Sequence, residues 1–299
     1  MHSLGLKFGV YTAQREETCQ RRPGSWQHEA IDVRSYCDWG VDYLKIDQCQ
    51  GQRYAALNTS WIKFRAAIDE CTNARGYPMV MSIESCDDPA TCGQWVGSLA
   101  NLWRTGGDIQ AYFGSVLKNA AGNTKMAAVA GPTGGPLNGG HWNDADMLQV
   151  GNIGLSLDEQ KSHFALWNLM ASPLLIGADV SMLSNETLAI LGNQEITAID
   201  QDAKGVQGVP VGPSAATGGQ SCWAKPLANG DVAAILLNVE DEAMTVTCHL
   251  ADLGVSVAPT KVRDLWAKAW LTPLPKAGGS ISAKLASHAN MMVRISMQG

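Results

Sequence analysis

The chain has 299 residues, 45% of them hydrophobic and 17% charged, with a formal net charge of −6. That length and apolar share suit one large α/β domain plus a smaller one and exclude a disordered tail. The acidic balance argues against a nucleic-acid binder, and there is no run of 18 apolar residues to cross a membrane. In chain order, residues 6–11 read as a short buried strand, and 27–39 as a helix stopped by Gly40. Residues 41–47 form the next strand, 61–73 a helix, and 78–83 a third strand. A helix over 93–101 leads to Leu102-Trp103-Arg104-Thr105, and another spans 110–119. Residues 142–150 give a strand and loop. A helix over 158–172 is capped by Ser156 and stopped at Pro173. Residues 174–176 are a last short strand, and helices follow near 186–191 and 193–200.

Strands alternating with helices predict a parallel sheet of six βα units up to about residue 200. Beyond it, residues 231–239, 244–249, 260–264 and 291–296 alternate with turn residues in an antiparallel pattern. The expected fold is therefore a (β/α)8-type barrel carrying six of its eight units over 1–205, then an antiparallel β-sandwich over 206–299.

Asp47 closes an apolar strand, where an unpaired carboxylate is costly and so calls for a reason. In a barrel, the C-terminal strand ends form the active site; an Asp capping a loop is the competing reading. Asp108 follows Gly106-Gly107, a pair expected to permit an unusual backbone path that presents the carboxylate. A turn Asp is the alternative there. Two carboxylates on different strand ends suit glycoside hydrolysis, and a retaining pair lies about 5–5.5 Å apart. Lys45 and Arg104 bracket them and can donate to sugar hydroxyls. Ten Trp against four Phe lean the same way, since an indole packs on the apolar face of a pyranose. His141-Trp142-Asn143-Asp144-Ala145-Asp146 is a further acidic cluster, but it lacks metal-ligand spacing, so neither metal nor cofactor is expected.

Eight cysteines point to an oxidising compartment. Cys19 and Cys49 are expected at one barrel mouth and to pair, with two free thiols as the alternative. Cys86–Cys92 and Cys222–Cys248 are further candidate pairs, while Cys37 and Cys71 fall on helices and are expected to be free. Asn58 and Asn185 head N-glycosylation acceptor triplets.

These residues together resemble glycoside hydrolase family 27, the α-galactosidase and α-N-acetylgalactosaminidase family. The resemblance rests on 5–11, Thr18-Cys19, Arg22-Pro23-Gly24-Ser25, 38–47, Trp103-Arg104-Thr105-Gly106-Gly107-Asp108-Ile109, 141–148 and Ser172-Pro173-Leu174-Leu175-Ile176-Gly177. It implies a retaining mechanism with Asp47 as nucleophile and Asp108 as acid/base. Lys45 and Arg104 fall on sugar-hydroxyl contacts, and Tyr11 and Cys19 line the pocket. The Cys19–Cys49 bridge also fits the family. By that comparison the chain starts at the third barrel strand, without the Trp and paired Asp that grip the 4- and 6-hydroxyls. Glu84-Ser85-Cys86 replaces the family's usual Cys-Glu-Trp, in a loop that chooses between a 2-hydroxyl and a 2-acetamido group, and Ala145 replaces a Pro.

The resemblance implies an α-galactosidase-like enzyme acting on galactosides, with no nucleic-acid or membrane partner; a homodimer is the one protein partner considered. A secreted or lysosome- or vacuole-like location is expected, although 1–7 show no signal peptide. The alternatives are a non-catalytic carbohydrate-binding fragment, or the same chemistry on α-N-acetylgalactosaminides or β-L-arabinopyranosides.

Overall fold

A computed structural model describes residues 1–49, 57–84, 86–136, 139–213, 215, 219 and 221–297; the side chains of 57 and 58 are also outside it. Ser85 and the Asn58 acceptor therefore lie outside the described residues. The chain packs as two compact units, Met1–Arg104 with Thr133–Trp142, and Thr105–Pro132 with Asn143–Gly299.

The first unit holds parallel strands β1 (Gly9–Ala13), β2 (Tyr43–Asp47), β3 (Val80–Ile83) and β4 (Leu102–Arg104), neighbours in chain order. The fifth strand, β5 (Trp142–Asp144), follows β4, and its Trp142 amide donates to the Asn101 carbonyl at 2.8 Å. Period-2 alternation buries Leu44 and Ile46 completely and leaves Lys45 and Asp47 on the opposite face, half-buried. Helices α1 (Glu29–Asp38) and α2 (Leu57–Arg75) pack on each other. Gly40 ends α1 in the left-handed region at φ 74°, its amide returning to the Cys37 carbonyl at 2.9 Å.

Several expectations change here. β1 starts at Gly9 and buries only its last two residues, Thr12 and Ala13: Leu6, Phe8 and Tyr11 are exposed, because β2 is the only strand paired with β1 among the described residues. Cys37 and Cys71 are not free but joined across α1 and α2, with Cα atoms 5.8 Å apart. Helical periodicity shows which face each cysteine occupies but not that the two faces meet. The expected helix over 93–101 shrinks to α3 (Val96–Leu99), after a 3-10 turn at Cys92–Gln94.

In the second unit, α4 (Phe113–Lys125) starts and ends later than expected. Its last turns hold because Asn119 and Asn123 are buried and used: Asn119 Nδ2 donates to the Gly107 and Ala145 carbonyls, and Asn123 Oδ1 accepts from Thr105 Oγ1. α5 (Leu157–Leu169) opens on a capping box, Ser156 Oγ accepting from the Glu159 amide and Glu159 Oε2 from the Ser156 amide. The expected strand over 174–176 is only a bridge, Leu148 pairing with Ile176. Pro173, just before it, has no N–H to extend a ladder. Helices α6 (Asn185–Leu191) and α7 (Gln194–Asp200) follow.

The sandwich strands are β6 (Val209–Pro210), β7 (Cys222–Pro226), β8 (Val232–Leu237), β9 (Met244–His249), β10 (Lys261–Asp264), β11 (Ala269–Trp270), β12 (Ser280–Leu285) and β13 (Asn290–Ser296). They form one antiparallel sheet ordered β11-β10-β13-β8-β7-β6 and a β12-β9 pair. All six β8 residues are buried, because both of its faces are covered. Ala233, Ile235 and Leu237 join a core with α4 to α7, whereas Val232, Ala234 and Leu236 pack against β9 and β12. The strands β6, β7, β11 and β12 had no sequence expectation, although Ser280–Leu285 alternates polar and apolar residues as a strand does.

Candidate active site

The C-terminal ends of β1 to β4 gather the polar side chains of the first unit. Register sets Tyr11 beside Lys45, Ala13 beside Asp47, and Lys45 beside Ser82, so their side chains share one face. Asp47 is held at both oxygens: Tyr11 Oη donates to Oδ2 at 2.5 Å and the Gln48 amide to Oδ1 at 2.6 Å. Cys19 and Cys49 form a disulfide with Cα atoms 4.9 Å apart. Cys19 Sγ lies 3.5 Å from Asp47 Oδ2, but a bridged sulfur has no proton to donate, so this is a wall contact. For the same reason the Cys19–Asp47–Cys49 cluster offers no thiolate to a metal.

Burial raises the Tyr11 pKa first, and the hydrogen bond to Asp47 and the charge of Asp47 add to it. Tyr11 therefore stays a proton donor to the carboxylate throughout the working pH range. The loop after β1 that carries Cys19 folds back tightly at Gly24, where a Cβ would sit 2.0 Å from the Arg15 carbonyl oxygen. That contact explains why the Arg22-Pro23-Gly24-Ser25 stretch needs its glycine.

Glu84 is the main addition that the structure makes. It lies two residues past Ser82 on the line of β3, and its amide bonds to the Ile46 carbonyl at 3.0 Å. Its Oε2 accepts from Lys45 Nζ at 2.7 Å and stands 3.8 Å from Arg104 Nη1. Burial pushes its pKa up, as does the charge of Asp47, against the pull of Lys45 and Arg104. The sequence reading treated Glu84 only as a changed loop residue. The same period-2 alternation that selected Lys45 and Asp47 also reaches it.

Asp108 belongs to the second unit and is exposed, after the Gly106-Gly107 turn. Neither glycine takes a left-handed φ, and a Cβ on either would meet no atom, so the expected special backbone path is not what presents Asp108. Beyond it, Asp146 fixes backbone: Oδ2 accepts from the Ile109 amide and Oδ1 from the Met147 amide. Asp144 Oδ1 accepts from the Asp146 amide, holding Asp146 at φ 88°. The other disulfides are Cys86–Cys92 and Cys222–Cys248.

Comparison with known proteins gives this geometry its setting. The family model described as Alpha galactosidase A matches residues 1–202, and that of the Alpha galactosidase C-terminal beta sandwich domain matches 217–295. The chain belongs to the α-galactosidase family of glycoside hydrolase family 27. Its fold is that family's TIM-barrel domain followed by a β-sandwich. An α-galactosidase of Oryza sativa subsp. japonica is 39% identical over 96% of this chain and 65% of its own length. One of Cyamopsis tetragonoloba is 38% identical over 98% of this chain and 67% of its own. The solved α-galactosidase I of Mortierella vinacea is 26% identical, with a TM-score of 0.81, over 100% of this chain and 79% of that one. The chain thus spans about two thirds of the length of the curated relatives it matches.

Proposed function

We propose that the chain is the catalytic part of a retaining glycosidase that removes terminal α-linked galactose. The observation that carries this reading is Asp47, fixed at both oxygens at the end of β2 beside the Lys45–Glu84–Arg104 network. Hydrogen bonds to both oxygens aim the carboxylate. In the first step an Asp47 oxygen attacks the anomeric carbon, the glycosidic C–O bond breaks, and Asp108 gives its proton to the leaving oxygen. In the second step Asp108 takes a proton from water, which attacks the same carbon and releases Asp47.

Lys45 has three N–H donors and spends one on Glu84, so it can also donate to a sugar hydroxyl. Arg104 shares that task, and Tyr11 and the Cys19–Cys49 bridge wall the pocket. We assign residues 1–205 to the catalytic barrel and 206–299 to the sandwich. Four disulfides fit an oxidising, secreted or vacuolar setting, and among the described residues no helix is long and apolar enough to cross a membrane.

The deciding experiment gives the chain aryl α-galactosides, α-N-acetylgalactosaminides and β-L-arabinopyranosides, and reads the first-formed anomer by NMR. Hydrolysis of the galactoside with retention, lost in Asp47→Ala, is the expected result. An inverted product, or preference for another glycoside, overturns the assignment. Binding without turnover would favour the carbohydrate-binding alternative.

A further inference from the structure

In the second unit, a groove of about 720 Å³ lies between α7 and the strands β10, β11 and β13. We propose that this groove is a second carbohydrate-binding site, taking a neutral pyranose unit of an oligosaccharide and playing no part in bond cleavage.

Trp270 is the main feature of the groove. It is 57% exposed although it is the bulkiest apolar group on its two-residue strand. Arg263, its cross-strand partner, sits with Cζ 5.1 Å from the indole centroid and so restricts the ring. Arg263 is fixed in turn by Glu195 of α7, which accepts from Nε and Nη2 at 2.8 Å each. On the other side, Arg294 Nε donates to Asp231 Oδ2 at 2.6 Å.

Each of these two acids is matched by an arginine, which leaves the ammonium of Lys261 as the excess charge among the five lining ionic groups. Such a lining has little to attract a multiply charged anion. It does offer fixed donors and acceptors to hydroxyls beside an aromatic face that fits the C–H face of a pyranose. The volume falls within the range of small-molecule sites. The choice of a galactose-bearing polymer as ligand rests on the proposed function; the site itself does not.

The test is native gel electrophoresis of the full chain with soluble galactomannan in the gel. Wild type should be retarded, and Trp270→Ala should weaken the apparent binding by about tenfold. Trp270→Phe, which keeps an aromatic face, should retain most of the retardation. Turnover of a small aryl α-galactoside should be the same in all three proteins. Equal retardation of wild type and Trp270→Ala, no retardation of wild type, or equal loss in the Ala and Phe variants overturns the proposal. If wild type fails to hydrolyse the aryl galactoside but Trp270→Ala still loses retardation, the catalytic reading falls and the groove stands.

Discussion

Two lysines show how the same chemistry serves different ends in this molecule. Lys45, at the end of β2, keeps a side-chain exposure of 20% and donates to a carboxylate, Glu84 Oε2. Lys225, on β7, is fully buried and donates to a backbone carbonyl, Ile199 in the last turn of α7. Burial lowers the Lys225 pKa to about 8, and burial raises the pKa of nearby Asp200 to about 6. On both groups desolvation outweighs their mutual attraction, so this pair costs stability as charges while the carbonyl bond ties α7 to β7. At Lys45 the charges stand within reach of solvent, next to Asp47 and available to a ligand. The contrast teaches that a buried lysine alone does not mark a site. What marks one is a cluster of side-chain donors and acceptors that opens to solvent at strand ends.

The strongest challenge to that contrast is at Asp47. Asp47→Ala should lower kcat for an aryl α-galactoside on the order of 10⁴-fold with little change in the thermal midpoint. A large stability loss instead would make Asp47 structural. Lys225→Met should do the reverse. It should cost about 3 kcal/mol in chemical denaturation, because it leaves Asp200 without its nearby positive charge, and should leave kcat/KM for the folded protein unchanged.

Tyr11→Phe should sharpen the comparison. It removes a hydrogen bond to a charged group and should lower kcat about tenfold. A kcat equal to that of wild type would show that Tyr11 acts only by packing.

The smallest expected effect is at Asp42, a carboxylate used purely for structure. Burial would raise its pKa, but the His2 hydrogen bond, the Phe8 amide and the Lys7 charge win and lower it from 3.8 to about 2. A depressed carboxylate supplies stability in full above its unfolded value, and that stability is lost as pH falls through about 2. His2→Ala should therefore raise the acid-unfolding midpoint slightly and cost only about 0.5 kcal/mol at neutral pH, since His2 is half exposed. Acid titration followed by circular dichroism checks it.

Much of this was legible before any coordinates. Alternation along 43–47 puts Lys45 and Asp47 on one face, and the Ser156 and Glu159 spacing announces a helix start; both follow from local geometry with fixed periods. The capping and stop residues of α1 and α5 act within one turn, so they too can be read along the chain. The sequence by itself also determined the class of fold, since apolar strands alternating with helices bury both sheet faces only when the strands run parallel.

The tertiary structure alone decided which distant groups meet. Glu84 reaches Lys45 and Arg104 because three neighbouring strands end level with one another. Cys37 finds Cys71 because two helix faces pack together. Trp270 stands over a groove because a two-residue strand turns it outward beside Arg263. Sequence spacing fixes the direction of a side chain relative to its own element, whereas distance to a partner depends on how elements pack, and that is set by the shape and burial of the whole core.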